Sequence, residues 1–140
     1  MNIIEAVNDI LLTFPGNSDI RIEFADSEPV SWGLSSIGDD LAFEDVLGNQ
    51  RRIHHFLLYF TFSGINDYER LMNSSIITNL SVWLTEQTGA EVITQVGSLT
   101  GTGEIVSMRA GDGKLYEIPD DSDLRLRYQM SITAEYTVEL

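Results

Sequence analysis

From Leu124 to Leu140 every even position is apolar (Leu124, Leu126, Tyr128, Met130, Ile132, Ala134, Tyr136, Val138, Leu140) and every odd position is polar or charged. Side chains alternate across a strand, so this period of two predicts a β-strand with one buried and one wet face and excludes a helix. At ~3.3 Å per residue an unbroken run would reach ~55 Å, far beyond the usual strand of ~5 to 6 residues. Either a bulge bends the strand, or a neighbouring subunit helps to cover its apolar face.

The N-terminus has a different period. Ile3, Ile4, Val7, Ile10, Leu11 and Phe14 recur at three-and-four spacing, which predicts a helix over Asn2 to Phe14 that Pro15 and Gly16 end. Ile20, Ile22 and Phe24 alternate with Arg21 and Glu23 as a short half-buried strand, Pro29 closes its loop, and Ser31 to Ile37 reads as extended. Phe43 to Leu47, the Gly48-Asn49 turn and Gln50 to Phe62 form a predicted β-hairpin. Its second arm is apolar at even positions (Phe56, Leu58, Phe60, Phe62) and at odd ones (Ile53, Leu57, Tyr59), the pattern of a central strand covered on two faces, by helices and by a second layer or subunit.

Asn66 to Thr88 turns helical again, with Tyr68, Leu71, Met72, Ile76, Leu80, Trp83 and Leu84 on one side. Asn73-Ser74-Ser75 in its middle predicts a short helix, a break and a second helix ending at Gly89. Val92 to Val96 reads as a brief extended piece, Gly97 to Gly103 as a flexible loop, and Ile105 to Arg109 with Leu115 to Ile118 as a second hairpin around Gly111-Asp112-Gly113. The expected fold class is α/β (α+β): one domain over residues 1–140, a mostly antiparallel sheet of long strands and hairpins packed by an N-terminal helix and a broken central helix.

Composition sharpens what such a domain can do. The chain has 140 residues, 43% of them hydrophobic, which supplies a real core but not two domains. With no cysteine, disulfides, thiolate metal sites and a cysteine nucleophile are absent. No apolar run approaches the ~20 residues of a membrane span, and the N-terminus lacks the pattern of a signal peptide, so a soluble, unexported chain is expected. The net charge of -14, from 22 acidic against 8 basic residues, repels nucleic acid and anionic membranes, although a wall past which DNA slides without sticking would also be acidic.

Candidate chemistry is sparse. His54 and His55 are adjacent on a predicted strand and so point to opposite faces, which denies them a shared metal ion and makes a core or interface role the better reading. No serine lies in a Gly-x-Ser-x-Gly elbow, so a Ser-His-acid set is not indicated. The glycines at 97 to 103 lack the Gly-Lys-Ser/Thr of a phosphate loop. Asp120, Asp121 and Asp123 lack the EF-hand pattern, and both they and the Asp39-Asp40 pair read as solvated turns. Arg51 and Arg52 form the one basic doublet, at a hairpin tip, either solvated or paired with an acidic partner surface. The expected set contains no catalytic residue, no cofactor and no metal; the candidate partner-interface residues are Arg51, Arg52, His54 and Tyr136.

The order of elements resembles the tail terminator (tail completion, or minor capsid) proteins of Gram-positive siphophages and related tail-like particles. The resemblance is carried by the opening helix with Phe14-Pro15-Gly16, Ile20-Arg21-Ile22-Glu23-Phe24, Glu28-Pro29-Val30-Ser31-Trp32, the hairpin into Phe56-Leu57-Leu58-Tyr59-Phe60, Asn79-Leu80-Ser81-Val82-Trp83-Leu84 and the alternating C-terminal strand. Glu91 to Ile118 departs most from it. The resemblance implies a non-enzymatic virion subunit, made in the host cytoplasm, that closes into a six-membered ring at the head-tail junction. Its partners would be further copies of itself, the tail tube protein and the head-tail connector protein, with DNA only as passing cargo and no membrane. The acidic surplus, including Asp39, Asp40, Asp120, Asp121 and Asp123, is then expected away from subunit contacts. A head-side connector or adaptor, and a small-ligand-binding α/β domain, are the competing readings.

Overall fold

The computed structural model describes residues 1–14, 32–63, 78–111, 114–117 and 125–140. Over these the chain is an α+β domain built on an antiparallel sheet with an N-terminal helix. Helix α1 spans Ile3–Leu12, and six strands follow: β1 Trp32–Glu44, β2 Gln50–Ser63, β3 Glu91–Val96, β4 Leu99–Ala110, β5 Lys114–Glu117 and β6 Arg125–Val138. A second helix, α2, is described over residues 78–84, between β2 and β3. The predicted strand at 20–24, the break at 73–75 and Asp120, Asp121 and Asp123 lie outside the described residues.

The long C-terminal strand forms as its alternation requires, and it occupies the centre of the sheet. The strand order is β1-β2-β6-β4-β3, with β5 also on β6. Every residue of β6 pairs with β2, from Gln50 opposite Val138 to Ser63 opposite Arg125, without a shift in register. Met130, Ile132, Ala134, Tyr136 and Val138 are buried, and the intervening positions are not. The chain itself supplies the cover: Ile3, Ala6, Val7 and Leu11 of α1, Leu80 and Leu84 of α2, and Phe14, whose ring lies 5.3 Å from that of Trp83, share one core with β6. The described part of this face therefore needs no neighbouring subunit, and the bulges sit on the partners of β6, not on β6.

Asn2 caps α1, its side-chain oxygen accepting the Glu5 N–H at 2.9 Å, which satisfies one of the free donors of the first turn. The stripe differs from the predicted one at two positions: Ala6 is buried and Ile4 exposed, because the buried face is centred on Val7 and Ile4 lies on its shoulder. On β2, Phe56 and Leu58 are buried while Ile53, Leu57 and Tyr59 on the opposite face are half-buried, so the predicted two-sided cover is complete on one side only.

Two expectations in the divergent stretch are corrected. Residues 97–103 are not a flexible loop: Gly97 and Ser98 turn the chain, and 99–103 belong to β4, paired with β3 from Val96 opposite Leu99 to Glu91 opposite Glu104. Gly101 and Gly103 serve close approach, since a Cβ on Gly101 would stand 2.8 Å from Val138 Cγ1 and one on Gly103 1.8 Å from the Thr137 carbonyl oxygen. The second hairpin does not form either. β4 pairs with β6 over Tyr136 to Ile132 and β5 over Gln129 to Arg127, both antiparallel, so β5 continues the line of β4 along the same edge of β6. The Gly111 N–H donates to the Ser131 carbonyl at 2.7 Å and keeps that line on β6.

Candidate functional site

Two features stand out: a polar knot at the margin of the core, and an apolar hairpin end beyond it. The knot is assembled by a bulge. β1 and β2 pair with Ser36 opposite Phe56, then Gly38 opposite His55 and Asp39 opposite His54, so Ile37 is an extra residue in β1. The extra residue moves Asp39 onto the face of Ser36 and His54, where uninterrupted alternation would have sent it outward. Asp39 is therefore not part of a solvated turn.

Around its carboxylate, Arg52 Nε donates to Oδ1, while the Tyr136 hydroxyl at 2.6 Å and His54 Nδ1 at 2.9 Å both meet Oδ2. Arg52 Nη1 donates to Gln50 Oε1 at 2.8 Å, and His54 Nε2 lies 2.6 Å from Ser36 Oγ. Burial pushes the Asp39 carboxyl up, but the hydrogen bonds from Tyr136, Arg52 and His54 and the Arg52 charge outweigh it, and the net direction is down. The bond to Asp39 raises Arg52 against the opposing effect of burial. Burial and the Asp39 carboxylate together hold the Tyr136 phenol protonated well above its ordinary range. An ionised carboxylate only accepts, so His54 Nδ1 carries a proton, and in the neutral ring Nε2 accepts from Ser36.

Ser36 Oγ to His54 Nε2, and His54 Nδ1 to a carboxylate, is the connectivity of a Ser-His-Asp triad. The absence of a nucleophile elbow in the sequence concealed it, because the three residues meet across two strands. The carboxylate differs from that of a triad in its partners, since it accepts from Arg52 and Tyr136 as well as from His54. The arrangement suits a structural lock that satisfies five polar side chains, Ser36, Asp39, Arg52, His54 and Tyr136, at the core margin.

Three of the four candidate partner-interface residues thus face inward. His54 is only 7% exposed, Tyr136 is buried, and Arg52, about a quarter exposed, is bonded to Asp39 within its own chain. Arg51, on the opposite face of the strand, is half exposed and 3.9 Å from Glu135. His55 also faces that side, bonded to Asp40 at 2.8 Å. The two arginines are therefore expected to respond differently to charge reversal. Arg52→Glu places a carboxylate against Asp39 and should lower the melting temperature, whereas Arg51→Glu should leave it within ~2 °C of wild type, as surface changes of under ~0.5 kcal/mol do. Equal melting curves for the two variants would contradict this assignment.

Past Arg51 the hairpin ends in an apolar tip. Val46 and Leu47 are 102% and 84% exposed, and Phe43, Leu41 and Ile37 of β1 are exposed as well. The tip is rigid by construction. Asp45 Oδ1 accepts the N–H groups of Leu47 at 2.9 Å and Asn49 at 3.0 Å, the Asp45 carbonyl accepts the Gly48 N–H at 3.1 Å, and Gly48 takes the positive φ of 88° that the turn demands. At the opposite edge of the sheet a cavity of 390 Å³ opens between α1 and β3, lined by Met1, Ala6, Ile10 and Ile93 with Asp9 and Glu91 among them. Among the described residues no group of three or more acidic or histidine side chains is arranged to hold a metal ion, and no helix is long and apolar enough to cross a membrane.

No family model matches the chain, and comparison with curated proteins returns no match.

Proposed function

We propose that the chain is a structural subunit of a phage tail or tail-like particle, a non-enzymatic tail terminator that closes into a six-membered ring, caps the tail tube, stops its growth and offers the joining surface to the head-side connector. The single observation that carries the assembly part is the rigid hairpin end with Val46 and Leu47 in water. A monomer gains nothing by building a well-bonded turn to display two aliphatic side chains, whereas an interface gains a preorganised apolar anchor. The tail assignment is supported by the resemblance in the order of elements, and by an acidic chain that DNA would pass without adhering.

Purified protein added to tail tubes is the direct test. Negative-stain images should show a ring at one tube end only, native mass should give six copies at that level, and capped tubes should stop elongating. Binding along the whole tube, or a single copy per tube, would overturn the reading. A ring that joins heads but leaves bare tubes free to grow would identify a head-side adaptor instead.

A further inference from the structure

We infer that the ring contact is made by the hairpin tip of one copy, Val46 and Leu47, seated in the cavity between α1 and β3 of the next copy; this rests on the ring reading above. The two halves lie on opposite edges of one sheet, since β1 and β3 are the outermost strands of the described order. Complementary patches on opposite edges make a head-to-tail contact, the only kind that closes a cyclic ring of more than two copies. A self-matching patch would stop at a dimer.

The chemistry of the two halves matches. The tip is aliphatic and the cavity wall is Met1, Ala6, Ile10 and Ile93, at 390 Å³ within the range of roughly 300 to 1,000 Å³ of sites that enclose a ligand-sized group. Charge agrees as well. Asp9 and Glu91 stand in the cavity lining, and Arg51, the cation left half exposed behind the tip, has among the described residues the 3.9 Å contact to Glu135. Two acidic residues, Glu44 and Asp45, share the hairpin end, and Asp45 turns its carboxylate onto the N–H groups of Leu47 and Asn49 in the turn. The turn is already ordered before contact, so docking costs little conformational entropy at the tip. A second copy of this chain is the occupant because the same chain carries both the anchor and the acidic, apolar receptacle.

The absence of native cysteine allows a clean test. Leu47→Cys combined with Ile10→Cys in one chain, oxidised or treated with a short bismaleimide on capped tubes, should give a covalent ladder in steps of the 15.7 kDa subunit that ends at the closed ring. Leu47→Cys alone and Ile10→Cys alone should give no ladder. Val46→Asp with Leu47→Asp should keep the wild-type melting temperature and lose ring formation at least tenfold. A ring of six copies that forms without any ladder, or that survives the double Asp change, overturns this contact and leaves the ring reading standing. Dimers from Leu47→Cys alone would show tip-to-tip pairing and overturn it too. No oligomer on tubes under any condition removes the ring reading, and this contact with it.

Discussion

Asp39→Ala is expected to lower the melting temperature by roughly 5 to 10 °C, the equivalent of ~2 to 3 kcal/mol in a domain of this size. The carboxylate is the common acceptor of Arg52, Tyr136 and His54, so its removal leaves three donors at the core margin without their partner. Removing one member of a buried ion pair costs ~3 to 5 kcal/mol when the other is fully enclosed. Asp39 and Arg52 are about a quarter exposed, water recovers part of the loss, and the lower figure follows. Arg52→Leu made together with Asp39→Leu should cost less than the two single changes added, because neither charge is then abandoned.

The same group sets an acid limit. Its folded pKa lies below its unfolded value of about 3.9, so the stability it contributes is complete above that value and is lost as pH falls through the folded pKa. Urea unfolding of the wild type should weaken below about pH 4. Asp39→Asn should flatten the contribution of this carboxylate to that decline and should be less stable than wild type at pH 7. An unchanged slope in the variant would mean that other carboxylates govern acid unfolding.

Gly103→Ala is expected to be the costliest small substitution, at ~3 kcal/mol or more, because overpacking that backbone shifts cannot relieve lies at the upper end of the usual ~1 to 3 kcal/mol. The new methyl group would stand 1.8 Å from the Thr137 carbonyl oxygen and 2.7 Å from Thr137 Oγ1, and neither β4 nor β6 can retreat without opening the ladder between them. That ladder includes the reciprocal bonds of Thr102 and Glu139 at 2.8 and 2.9 Å and the Glu104 N–H to Thr137 Oγ1 at 3.0 Å. Gly38→Ala is the control, since nothing lies within 4 Å of the point where its Cβ would stand, and it should change stability by under ~0.5 kcal/mol. Equal losses at the two positions, measured by thermal unfolding, would show that glycine flexibility and not close approach sets the cost.

Much of the sheet was legible in the residues. Period two from Met130 to Val138 survives intact because β6 is central, one of its faces is buried along the described length, and any slip in register would turn that whole set of side chains into water. The arm that begins at Gln50 and a turn at Gly48 were legible for a local reason, the positive φ that glycine supplies, but the predicted first arm Phe43 to Leu47 was not met, since β1 ends at Glu44 and Asp45 to Asn49 form the turn. His54 and His55 face opposite sides of the sheet because neighbours on a strand must. The 97–103 stretch misled because composition reports that glycine permits flexibility, while only packing shows whether a neighbouring strand has used the missing side chain to approach.

What the sequence determined by itself is the alternation, the helical stripe, the hairpin turn and the charge, all properties of residues within a few positions of one another. The tertiary structure alone decided that Ser36, Asp39, Arg52, His54 and Tyr136 meet. That meeting needs Ile37 to be an extra residue in β1, which reverses the facing of Gly38 to Leu41 up to the second register shift before Phe43, and it needs β6 to lie on the far side of β2 with Tyr136 opposite Arg52. Neither a bulge nor a strand order has a local signature, because both are selected by the burial energy of the whole sheet. The same holds for the placing of an apolar tip and an apolar cavity on opposite edges: hydrophobic residues are visible in a sequence, but only the packed chain shows which of them are left in water.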